Sequence, residues 1–176
     1  MHTLETAIAT ISRWMARIGG VALLGIAVLI SLEVLLRTTE LATWSIGTEL
    51  ATYALAVGTT WSLAYVVFER EHVRVDILAQ KVPALPRGAL DLLAMLSLAA
   101  TGAILCYGGI EMAATSLRID SRSNTTLGVP LAWPHALWAF GLVWFTVVAI
   151  YRTAQAGIAL GRGDFVRVSS IASSPS

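Results

Sequence analysis

The chain has 176 residues and a net charge of +1; 13% of its residues are charged and 56% are hydrophobic. Soluble domains carry roughly 25% charged residues, so half that charge excludes an ordinary soluble domain and places the chain among integral membrane proteins. The near balance of twelve basic and eleven acidic residues excludes a nucleic-acid binder, which shows a concentrated basic face. The lone Cys106 excludes an internal disulfide and a thiolate metal site.

Residues 1–17 come first. Leu4, Ile8, Ile11, Met15 and Ile18 recur at spacings of three or four, with Thr3, Glu5, Thr6, Ser12 and Arg13 largely on the other face. That periodicity predicts an amphipathic helix lying along the membrane surface. An apolar run from 18 to 36, broken only by Glu33, is too long for a signal h-region, and no clear small-x-small site follows it; it reads as a retained first span. Spans at about 49–68, 89–112 and 129–151 follow, each near the 20 apolar residues a crossing helix needs. Barrel alternation is absent, and backbone groups inside lipid must be satisfied within each segment. The fold class is therefore all-α integral membrane, one membrane domain over 1–176 with four transmembrane helices and an N-terminal interfacial helix. Residues 69–88 form a connection containing Pro83 and Pro86 as breakers, and 160–176 form a disordered tail rich in serine.

Orientation follows from basic residues in short loops. Arg13, Arg17, Arg70, Arg74, Lys81, Arg87, Arg152, Arg162 and Arg167 fall on one side; Arg37, Arg118 and Arg122 fall on the other. Nine against three puts both termini and the 69–88 connection in the cytoplasm. Trp14, Trp44 and Trp133 lie at span ends, where an amphipathic ring suits the headgroup level.

The stretch FEREHVRVDIL (68–78) concentrates charge in an oily chain. His72 has no neighbouring nucleophile, and Glu71, His72 and Asp76 match no metal spacing. Two readings stay open: a solvated, positive-inside connection, or a polar surface that docks another protein. Glu33 is the one acid well inside an apolar run, with Arg37 at i+4 on the same face. It is either half of an intrahelical ion pair or a polar contact to a partner helix. Glu49 opens the second span, where an acid suits the helix dipole; capping and partner contact both fit. Ala54 with Gly58, and Ala99 with Ala103, sit at helix-packing spacing. The spans offer few polar groups: Ser31, Thr59, Thr60, Ser62, Ser97, Thr101 and Thr146. Broken helices and paired intramembrane acids, the marks of a transporter's substrate site, are missing.

LEVLLR (32–37), WSIGTELA (44–51), REHVRVDIL (70–78) followed by LP (85–86), and SNTTLGVPLAWP (123–134) together resemble the small, four-span membrane subunit of tripartite ATP-independent periplasmic (TRAP) transporters. The resemblance covers about residues 15–155. It implies a non-catalytic subunit in the bacterial inner membrane, without cofactor, metal or substrate site of its own. It implies two protein partners: a large membrane subunit that moves organic acids on a sodium gradient, and a periplasmic solute-binding protein. By the same resemblance Glu33, Arg37, Trp44, Glu49, Pro130 and Trp133 are interface candidates in the periplasmic half. His72, Arg74 and Asp76 are candidates at the cytoplasmic rim.

Two other functional classes make demands of their own. An independent proton-coupled exporter, acting as a homodimer with Glu33 as proton carrier, needs a carboxylate free to gain and lose its proton; Arg37 beside Glu33 argues against it. A membrane anchor for a haem enzyme needs paired intramembrane histidines, and His2, His72 and His135 do not share a depth. If the charged connection docks a partner, Arg74→Glu will weaken assembly with the large subunit more than a change in the C-terminal tail. Equal co-purification yields of the two variants would make the connection a solvated turn.

Overall fold

The computed structural model describes residues 2–39, 46–69, 84–125 and 127–162, with side chains for all but 2 and 84–87. Among the described residues there are four helices: α1 (His2–Thr38), α2 (Gly47–Glu69), α3 (Ala84–Arg118) and α4 (Ala132–Gly161). All four are long and apolar enough to cross a membrane. Among the described residues there is no strand, only an isolated bridge between Arg122 and Pro130. The chain is an all-α, multi-pass membrane protein.

The helices are continuous beyond the predicted spans. No break in helical structure separates residues 2–17 from the first span: α1 runs unbroken for 37 residues, about 55 Å at 1.5 Å per residue. α4 continues past Tyr151 to Gly161. α3 starts at Ala84, so Pro86 falls in its first turn, where a missing N–H leaves no intrahelical bond unmade. Pro134 takes the same position in α4.

Packing runs α1 on α2, α2 on α4, and α4 on α3. The helices stand in the order α1, α2, α4, α3, with α4 the most enclosed and α1 the least. Only the first turns of α1 also reach α4. There Ile8 joins Ala64, Val67, Phe145 and Val148 in one apolar cluster. A second cluster sets Met95 of α3 against Ala156 and Ala159 of α4.

The buried side of α1 is not the predicted one. Ile8, Ser12, Met15 and Gly19 turn inward, whereas Leu4, Ile11 and Ile18 are exposed. Ser12, expected on a polar outer face, is fully buried and accepts a hydrogen bond from Trp144 Nε1 at 3.0 Å. The reason is the continuity of the helix. Its seam must face α2 along its length and α4 at its first turns, and spacings of four, three and four keep one stripe on that side.

Glycines set how closely the helices approach. A Cβ on Gly19 of α1 would lie 3.0 Å from the Cα of Gly58 in α2. A Cβ on Gly141 of α4 would meet Thr60 Oγ1 at 2.6 Å and Trp61 Cδ1 at 2.7 Å. Backbones this close replace the bulky side chains that would otherwise fill the seam. On α3, Ala103 of the predicted small pair is exposed, and Gly102 and Gly109 face α4 instead.

Gly141→Ala should destabilise the purified chain by about 1–3 kcal/mol through overpacking, seen as a lower thermal midpoint in detergent. Gly25→Ala, where a Cβ meets nothing within 4 Å, should not lower it.

Candidate functional site

A helix leaves its first N–H groups and last C=O groups without intrahelical partners, and in a membrane unsatisfied backbone is costly. α2 meets both needs with charged side chains from its neighbours.

At the start of α2, the carboxylate of Glu33 reaches across from α1. Its Oε2 accepts the Gly47 N–H at 2.6 Å, and its Oε1 accepts Arg37 Nη2 at 2.8 Å. The Glu33 side chain is 12% exposed, while Arg37 lies out toward solvent. A negative charge here also complements the α2 dipole. The approach depends on Gly47: a Cβ there would fall 2.5 Å from Glu33 Oε2. Both oxygens of Glu33 are therefore engaged.

Two residues on, Glu49 is buried. Its Oε1 accepts the Tyr53 hydroxyl at 2.6 Å, and its Oε2 accepts the Thr125 hydroxyl. Thr125 belongs to the α3–α4 connection, which folds back on itself. Ser123 N–H donates to Val129 O at 2.9 Å and Leu131 N–H to Ser121 O at 2.8 Å. Ser123 Oγ lies 2.9 Å from Thr125 Oγ1. The connection turns through left-handed backbone at Asp120 (φ 46°) and Gly128 (φ 54°). Pro130 sits in this connection, and its carbonyl accepts the Trp133 N–H at 3.3 Å. The Trp133 side chain, in the first turn of α4, is 72% exposed.

At the far end of α2 the counterpart is Arg152 of α4, 3% exposed. Its Nη2 donates to the Phe68 carbonyl at 2.7 Å, and its Nη1 lies 3.4 Å from Glu5 Oε1 and from Gln155 Oε1. The guanidinium also stacks over the Phe68 ring, 4.2 Å from its centroid, a favourable cation–π position. A cation at a helix C-terminus complements the dipole. Arg152 thus joins α1, α2 and α4. Nearby, Arg13 and Glu69 lie 3.5 Å apart on the surface.

Of the predicted site residues, Glu33, Arg37 and Glu49 gather at the start of α2, with Pro130 on the connection that Thr125 ties to Glu49 and Trp133 in the first turn of α4 just after it. Trp44, His72, Arg74 and Asp76 lie outside the described residues. Sequence reasoning passed over Gly47, Thr125 and Arg152. Arg152 entered only as one of the nine basic residues, although its place directly after Ile150 and Tyr151 was a signal that a charge was being drawn into the bundle. Among the described residues no three His, Cys, Asp or Glu side chains come together as a metal site would require. The arrangement orders helices.

A family model described as "Tripartite ATP-independent periplasmic transporters, DctQ component" matches residues 26–171. That range holds α2, α3, α4 and the part of α1 that carries Glu33 and Arg37. No curated protein and no solved structure matches the chain.

Glu33→Ala should lower the stability of the purified chain by about 1–2 kcal/mol, as loss of a helix cap does. Glu33→Gln, which keeps an acceptor for Gly47, should cost less. Arg152→Met should cost about 1.5–3 kcal/mol, the range for hydrogen bonds to charged groups. Thermal unfolding in detergent checks the order; a Glu33→Ala midpoint equal to the wild type would remove the cap from the account.

Proposed function

The chain belongs to the DctQ-component family of tripartite ATP-independent periplasmic transporters, and on that premise we propose that it braces a large, ion-coupled membrane subunit rather than conducting solute itself. One observation carries the reading. Each of the seven hydroxyl side chains noted within the spans donates back to a carbonyl four residues earlier in its own helix: Ser31, Thr59, Thr60, Ser62, Ser97, Thr101 and Thr146. A hydrophilic solute crossing the bilayer needs polar groups turned toward its path. Here they are turned into their own helices.

What faces outward is apolar. Val21, Leu24, Val28 and Leu35 on α1, and Ile104 and Leu117 on α3, are exposed. Such faces suit lipid or a second membrane protein. In this proposal the large subunit packs against them and carries organic acids on a sodium gradient. The α3–α4 connection, with Trp133 beside it, helps to receive the periplasmic solute-binding protein. The nine-to-three distribution of basic residues supports an inner-membrane orientation with both termini cytoplasmic, which puts the Glu33 clamp on the periplasmic side. The proton-exporter alternative loses ground for a geometric reason: Glu33 is occupied by Arg37 and by the Gly47 N–H.

Proteoliposomes test the role. With the large subunit and binding protein present, omission of this chain should reduce sodium-driven uptake to background, and the chain alone should give no flux. Full uptake without it, or flux through it alone, would overturn the proposal.

A further inference from the structure

Glu111 stands apart from every other acid in the spans. It lies on the exposed side of α3 and makes no hydrogen bond or ion pair with any described residue. Ile104 (73% exposed), Tyr107 (70%) and Met112 (52%) share the outer surface of that stretch. Its depth follows from the chain's own polar contacts. Glu49 and Phe68, the residues clamped at the two ends of α2, are nineteen positions apart, about 28 Å, close to the thickness of a hydrocarbon core. On α3 the clamped level at the Glu49 end corresponds to the helix terminus at Arg118, where the connection departs. Glu111 is seven residues short of it, about 10 Å deeper.

An acid at that depth facing lipid is costly, and such residues face protein or a water-filled cavity. Glu111 borders an open depression of about 520 Å³, lined by Gly108, Met112, Thr115, Ser116, Leu131 and His135. Its back wall is already held: Ser116 Oγ lies 2.9 Å from Met112 O and 2.7 Å from His135 Nδ1. With a single hydroxyl proton, Ser116 donates to one of these two, and when it donates to Met112 the imidazole donates through Nδ1. The front is bare. Gly108 lies three residues before Glu111 on the same face, and a Cβ there would meet nothing within 4 Å. A small residue beside a polar one is the pattern that admits a neighbouring helix at close range.

We propose that this depression receives a transmembrane helix of the large partner subunit, and that Glu111 pairs with an arginine or lysine carried on that helix at the same depth. Charge complementarity selects this occupant. An unpaired carboxylate flanked on the outer surface by exposed Ile104, Tyr107 and Met112 fits a helix that is apolar except for one cation. The inference rests on the bracing role proposed above and assigns it to a face of α3.

Co-expression with the large subunit, followed by purification through a tag on this chain, provides the test. Glu111→Lys should lower the yield of co-purified large subunit about tenfold or more, and Gly108→Leu should lower it as well. The thermal midpoint of the purified chain should be unchanged in both. Full co-purification with Glu111→Lys would overturn the inference while leaving the bracing role intact. If Glu111→Lys fails to fold, Glu111→Gln decides: a reduced yield supports the pairing, and a wild-type yield overturns it. Failure of the wild-type chain to retain the large subunit would overturn the bracing role and this inference together.

Discussion

The fold depends on how one short helix ends. α2 has 23 residues, barely enough to cross a bilayer, so both of its ends lie close to the low-dielectric layer. The unpaired N–H at its start and C=O near its finish are answered by Glu33 and Arg152, brought from α1 and α4. Each contact matches the sign of the dipole at that end. Each also crosses between helices, so closing the ends of α2 fixes its position against both neighbours. The Gly19–Gly58 and Gly141–Thr60 approaches lie between these two anchors and set the spacing.

The remaining polar groups follow the same economy. Trp144 donates to Ser12, Trp61 Nε1 donates to the Leu137 carbonyl at 3.0 Å, and Thr153 Oγ1 lies 3.1 Å from the Met95 carbonyl. These bonds tie α1, α2 and α3 to α4, the helix that all the others touch. Ser31, Thr59, Thr60, Ser62, Ser97, Thr101 and Thr146 are closed onto their own helices. Glu111 apart, the protein therefore presents internally satisfied helices with largely apolar outer faces, as a scaffold would. For a member of a tripartite transporter family, this suits the proposed division of labour, in which this chain braces and another subunit carries the polar pathway.

The four helices were legible in the sequence because apolar runs near 20 residues in length leave few alternatives. Their true ends were not. Residues 1–17 carry charge, and Arg152 interrupts the last apolar run, so hydropathy truncates α1 and α4, while helical hydrogen bonding ignores that boundary. The Glu33–Arg37 pair was legible because its partners are four residues apart on one helix. The other half of the clamp was hidden, since its acceptors and donors are backbone atoms on distant segments. Glu33 and Gly47 are 14 residues apart, and Arg152 and Phe68 are 84 apart. Main-chain partners leave no trace in residue type except where they demand glycine, as at position 47. Burial of Ser12 was misread for a related reason: its partner Trp144 lies 132 residues away.

The Gly47 amide reports most directly on the central claim, because its hydrogen bond is to the Glu33 side chain rather than to a helical carbonyl. Amide hydrogen exchange of the chain in lipid nanodiscs, resolved at that residue, tests it. Slow exchange at Gly47, comparable with the interior of α2, is the predicted result. Exchange as fast as that of an unstructured peptide would mean that the helix end is open, and that Glu33 does not hold α2 in place.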